Sequence, residues 1–131
     1  MGIVKYLLDT HAFLWWIADD PSLSERARLI ISNGENEIYL SAVSIWEMAI
    51  KSRLGRLKLE GNLDSFLDRH IRENAFLPLP ITLAHATKIQ SISSAHRDPF
   101  DQMLAAQSMA EKMPLISVDK KIKGLGAEVV W

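Results

Sequence analysis

Short β-like runs alternate with longer helical patterns along this chain of 131 residues, and that alternation constrains the fold more than any single motif. Residues 3–8 form a near-continuous apolar run interrupted only by Lys5, as a strand covered on both faces requires. A helix starting at Thr10 or His11 carries Phe13, Leu14 and Ile17 inward and stops at Asp19-Asp20-Pro21. Ser22 and Glu25 have capping-box spacing for a second helix, with Ala27, Leu29 and Ile30 as its apolar face and Asn33-Gly34 as its stop. Residues 37–41 (EIYLS) read as a strand. Residues 44–54 read as a helix with Ile45, Met48 and Ala49 on one stripe. Asn62 caps a helix reaching Glu73, and Thr82 caps one reaching Ile92. Between them residues 75–80 (AFLPLP) are extended, with prolines that suit a sheet edge. Asp98-Pro99 is a helix start, an N-cap acceptor followed by Pro at the first helical position, and that helix ends near Lys112. Residues 115–118 and 128–131 are the last strands. Strands separated by helices need crossover connections, so the expectation is an α/β sandwich. Its central sheet is mostly parallel, with four to five strands and helices on both faces. The length suits a single domain over residues 1–131.

Composition excludes several chemistries. There is no cysteine, so disulfide scaffolds, thiolate zinc sites and cysteine nucleophiles are ruled out, and a reducing compartment is expected. The start MGIVKYLLDT has a strand-like pattern rather than a leader's, and Gly2 is followed by Tyr6 where a myristoylation signal has Ser or Thr. Residues 12–18, the longest apolar run near the start, are far too short to cross a bilayer. The chain therefore reads as cytoplasmic, with no membrane partner. Fifteen Lys and Arg against sixteen Asp and Glu give a net charge of -1, so any nucleic-acid binding must come from local patches or a bound cation. No Gly-rich phosphate loop is present.

In parallel sheets, ligands gather beyond the carboxyl ends of the strands. Asp9 directly follows the first strand, and Glu47 falls in the first turn of the helix after the second. Asp98 and Asp101 open the helix leading to the fourth strand, and Asp119 directly follows that strand. Carboxylates from four segments therefore converge on one edge. Crowded together they need protons or a cation. Oxygen ligation without cysteine or clustered histidine selects a hard ion, Mg²⁺ or Mn²⁺, over zinc. Such an ion activates water and clamps a phosphate oxygen, as phosphodiester hydrolysis demands. Ser44 and Glu47 also have capping-box spacing, and Asp98 is an N-cap candidate. Two basic runs flank the acids: Lys51, Arg53, Arg56 and Lys58, then Lys120, Lys121 and Lys123. Lys51, Arg53, Arg56 and Lys120 are the candidate contacts to a phosphate backbone. His11 and His96 flank acidic segments, within reach of a substrate, but read more simply as structural or partly exposed, since hard-ion sites seldom need imidazole, and His70 and His85 read as helix residues. Met103, Met109 and Met113 read as core. Trp15, Trp16 and Trp46 belong to core or interface, with one of the adjacent pair free for a partner.

The runs LLDTHAFLWW (7–16), SAVSIWEMAIKSRLGRLKL (41–59), HRDPFDQMLAAQS (96–108), PLISVD (114–119) and GAEVVW (126–131) together resemble PIN-domain proteins, specifically the VapC-type toxins of bacterial toxin–antitoxin pairs. The resemblance spans essentially the whole chain in order. It implies a Mg²⁺- or Mn²⁺-dependent endoribonuclease, forming a homodimer and inhibited by a small VapB-like antitoxin. Carried over by position, it makes Asp9, Glu47, Asp101 and Asp119 the acidic set, with Asp9, Asp101 and Asp119 on the metal. Asp98 is auxiliary, and Thr10 and Ser117 supply hydroxyls near the ion or its waters. Gln102 departs from the pattern, where similar proteins often carry Arg. Two other readings stay open. A receiver-like signalling domain would also bind Mg²⁺, but it needs paired acids after the first strand and a phosphorylatable Asp after a middle one. Here Thr10 follows Asp9, and the second strand ends in Ser41. A PIN-like module that binds without cleaving is the other, against which the complete acid set argues.

Overall fold

The structure is a computed structural model describing residues 3–131, so the readings of the first two residues, Gly2 included, lie outside it. Among the described residues five strands form one sheet: β1 (Lys5–Leu8), β2 (Glu37–Ser41), β3 (Leu77–Leu79), β4 (Leu115–Ile116) and β5 (Val129–Val130). Their order is β3-β2-β1-β4-β5 and every pairing is parallel. Register puts Leu8 beside Leu40 and Ile116, so β1, β2 and β4 end side by side. The helices are α1 (Thr10–Ile17), α2 (Glu25–Ser32), α3 (Ala42–Arg53), α4 (Leu63–Glu73), α5 (Leu83–Lys88), α6 (Pro99–Glu111) and α7 (Lys120–Lys123), with one 3₁₀ turn after α5. No helix among the described residues is long and apolar enough to cross a membrane.

Period-two alternation in the central strand creates two cores. Leu7 points to one face, where it meets Val43, Leu104, Leu115 and Ile122. Leu8 points to the other, where it meets Ala12, Phe13, Leu40 and Met48. Both leucines are fully buried, as the apolar run predicts for a central parallel strand. The α/β sandwich with helices on both faces is as expected, and the sheet is wholly parallel. The Pro-containing β3 lies at the edge, where a missing N–H costs no ladder bond.

Local differences have local causes. The first strand begins at Lys5, because Ile3 and Val4 precede the paired register and are exposed. Ser24, not Ser22, caps α2: its Oγ accepts the Ala27 N–H at 3.0 Å, while the Ser22 N–H donates to Asp20 Oδ1. Leu29 is exposed on α2, and Ala27 and Ile31 carry its buried face. Ser41 caps α3 through the Val43 N–H, so this helix starts two residues before the expected Ser44, and Ala49 is exposed. The short α7 was not expected. Asp119 starts it by accepting the Lys121 N–H at 2.8 Å. Phe13 is fully buried against the edges of Phe66 and Phe76, with ring centroids 6.4 and 5.9 Å away. Phe13→Ala is expected to cost about 3–5 kcal/mol in urea denaturation with an unchanged m-value, since a ring-sized void remains.

Candidate active site

Asp9, Glu47, Asp98, Asp101 and Asp119 all line one cavity of about 250 Å³ at the carboxyl end of the sheet, together with Thr10, Lys51, His96 and Lys121. The convergence expected from topology is therefore present. Asp9 caps α1, its Oδ1 accepting the Ala12 N–H at 2.6 Å, and it is only 5% exposed. Burial pushes its carboxyl up to about 6 from an ordinary 3.8, and the nearby Asp101 charge pushes the same way. The Ser117 hydroxyl and the Ala12 N–H only partly offset this. The buried Ser117 Oγ also accepts the Asp119 N–H at 3.0 Å, which ties the two strand ends together.

Glu47 is also buried, at 6% exposure, but it is fully engaged. Its Oε1 accepts the Thr10 hydroxyl at 2.7 Å, and the Lys51 ammonium stands 2.6 Å from its Oε2. The expected Ser44–Glu47 capping box does not form. With α3 starting at Ala42, both residues lie inside the helix, and the Ser44 hydroxyl is 2.9 Å from Thr10 Oγ1. Glu47 thus belongs to the second turn rather than the first, facing α1.

Asp98 does cap α6, accepting the Phe100 and Asp101 N–H groups at 2.9 and 3.2 Å. Asp101 Oδ2 lies 2.7 Å from His96 Nε2, and the Gln102 side-chain amide donates to the His96 carbonyl at 2.7 Å. Burial raises the Asp101 carboxyl, as do the charges of Asp98 and Asp119, while His96 lowers it. One ligand atom each from His96, Asp98 and Asp101 falls within 4.8 Å of the others. The flanking position of His96 beside the acids was legible in the sequence, but its contact with Asp101 was not. Its signal was five-residue spacing from Asp101, across a loop whose path only the fold sets. Arg53, Arg56 and Lys120 are exposed and do not line the cavity, whereas Lys51 and Lys121 do.

This donor set suits a hard divalent cation. It is rich in carboxylate oxygen, and two of its acids sit in surroundings that disfavour their own charge. The receiver-like reading fares worse. Ser41, at the end of β2, is buried, and its hydroxyl is given over to Gln107 Oε1 and the α3 cap.

Burial lets Asp9 hold a proton in the folded chain between pH 3.8 and about 6 that the unfolded chain releases. Its contribution to stability is thus present below its ordinary value and is lost, by about 3 kcal/mol, as pH rises through 6. In EDTA, Asp9→Asn is expected to be more stable than the parent at pH 7.5, with the gap narrowing toward pH 5. Urea denaturation at the two pH values checks this, and parallel stabilities would contradict it.

Comparison with known proteins gives a consistent family. The PIN domain profile matches residues 6–128. The chain is 28% identical over 120 residues to Ribonuclease VapC22 of Mycobacterium tuberculosis, covering 89% of this chain and 88% of that protein. Among solved structures it is similar to VapBC2 from Rickettsia felis bound to a promoter DNA fragment, with TM-score 0.72, 16% identity and coverage of 97% and 98%. It is also similar to VapBC-1 from nontypeable Haemophilus influenzae, with TM-score 0.65, 15% identity and 97% of each chain covered.

Proposed function

The chain belongs to the PIN domain family, and we propose that it is the toxin of a toxin–antitoxin pair, an endoribonuclease that hydrolyses RNA phosphodiester bonds with a divalent cation. The observation that carries this reading is the gathering of five carboxylates from four chain segments into one cavity, in a relative of a named ribonuclease. The resemblance to VapBC assemblies supports a small VapB-like antitoxin as partner. We further read residues 1–131 as one PIN domain and the protein as a cytoplasmic homodimer, the compartment in keeping with its lack of cysteine and the dimer with the toxins it resembles.

Asp9, Asp101 and Asp119 would hold the ion, Mg²⁺ or Mn²⁺. Bound there, it supplies Lewis acidity toward a phosphate oxygen and makes water more acidic. The chain's own groups do the rest. Ser117 holds Asp9 and the start of α7 in register. His96 braces one oxygen of Asp101, and Asp98 fixes the helix that presents it. Of the two acids expected to take the proton of the attacking water, Asp119 is the better placed, since its Oδ1 accepts only the Lys121 N–H, whereas both Glu47 oxygens are engaged by Thr10 and Lys51. In-line attack forms the bond from the water oxygen to phosphorus and breaks the bond from phosphorus to O3′; the departing O3′ takes a proton from solvent, which leaves a 5′-phosphate and a 3′-hydroxyl. Lys121 reaches the cavity from α7 and supports a phosphate contact, while Arg53, Arg56 and Lys120 lie outside it as candidates for the flanking strand.

Asp9→Asn and Asp101→Asn are each expected to lower RNA cleavage at least about 100-fold with the fold retained by circular dichroism, because a charged ligand is lost from the ion site. EDTA should abolish parental cleavage and added Mn²⁺ restore it. Full activity of either variant, or EDTA-resistant cleavage, would overturn the reading.

A further inference from the structure

The Glu47 carboxylate is buried at the wall of the cavity, and neither oxygen is open. Thr10 Oγ1 is 2.7 Å from Oε1, and Lys51 Nζ is 2.6 Å from Oε2. Lys51 lies one turn along the same helix, so its stem runs beside α3 and its ammonium returns to the carboxylate. Its side chain is 40% exposed and itself lines the cavity, beside the buried acid. The other cavity acids differ. Asp9, Asp98 and Asp119 accept backbone N–H groups, and Asp101 faces the imidazole of His96. Glu47 is the only one of the five with an ammonium in salt-bridge contact among the described residues.

A buried carboxylate beside other acids must be compensated by a proton, a metal ion or a fixed cation. At Glu47 the fixed cation is already in place, in direct charge-assisted hydrogen-bond contact at 2.6 Å. We infer that Lys51 is a built-in counter-ion which occupies the position of a second divalent cation at Glu47, so that the cavity takes one ion per chain. The inference rests on the reading that the cavity binds a divalent ion, and it deepens that reading by fixing the stoichiometry. Lys51 then acts as a positioning residue. It holds Glu47 in one rotamer without a second metal, and it keeps the oxygen that faces it from becoming a ligand.

Mn²⁺ binding to the full-length protein, followed by electron paramagnetic resonance of free Mn²⁺, tests this without reference to activity. The parent is expected to bind one Mn²⁺ per chain. Lys51→Met, which keeps the length and apolar stem but removes the charge, is expected to bind two, the second at Glu47. Lys51→Arg restores the charge and should return to one, and the double variant Lys51→Met, Glu47→Gln should also bind one. Two ions on the parent, or one on a folded Lys51→Met, would overturn the role given to Lys51. Should Lys51→Met not fold, the parental count still decides, because two ions leave no place for the lysine at Glu47. No Mn²⁺ on the parent would instead overturn the metal-dependent reading itself.

Discussion

The repulsion among acids gathered at one edge of the sheet is the constraint from which the rest of the site follows. Parallel register brings the ends of β1 and β4 together, and the residues that follow them, Asp9 and Asp119, face a shared cavity. The start of α6 adds Asp98 and Asp101. Folding therefore places carboxylates where burial and one another's charge both act against ionisation, and the raised carboxyls of Asp9 and Asp101 are the physical trace of it. A chain that needed only stability would not be arranged in this way. A cation bound among them would relieve that cost, which would link the stability of the ion-free fold to the affinity of the proposed site.

Around that cost the structure adds braces of different kinds. Backbone N–H groups at the starts of α1, α6 and α7 each point at an aspartate, so the helix ends offset part of the negative charge. Hydroxyls do the finer work. Ser117 spans Asp9 and the Asp119 N–H, and Thr10 joins α1 to the Glu47 carboxylate on α3. Among the described residues no buried side-chain nitrogen or oxygen lacks a partner, so the polar interior leading to the cavity is fully connected.

Much of this was legible in the sequence because it follows from period and punctuation. Leu7 and Leu8 enter opposite cores, so the apolar run that ends in them marked a central parallel strand, although Ile3, Val4 and Lys5 at its start are exposed. Asp98-Pro99 marked the start of α6 to the residue. The positions of Asp9 and Asp119 directly after strands predicted a common edge. What stayed hidden depended on contacts between distant segments. Ser44 and Glu47 look like a capping box, but Ser41 takes the cap and frees both side chains to meet Thr10, 34 and 37 residues away. His96 is partly exposed, as expected, but its partner was hidden: the loop before α6 folds it onto Asp101, with Gln102 holding its carbonyl. The residue that departs from the family pattern thus anchors the loop by an amide rather than a charge. Lys51 reads as one of four basic residues in a run, and only the helix geometry shows it turned to Glu47 while Arg53 and Arg56 face solvent.

The claim beneath all of this is that the aspartates following β1 and β4, with Asp101 of α6, form a single ion-holding pocket. Anomalous diffraction from a crystal of the parent protein soaked in Mn²⁺ tests it most directly. The account predicts a peak inside the cavity, in direct contact with carboxylate oxygens of Asp9, Asp101 and Asp119. A peak held by His96 and Asp98 away from Asp9, or Mn²⁺ bound only outside the cavity, would contradict it.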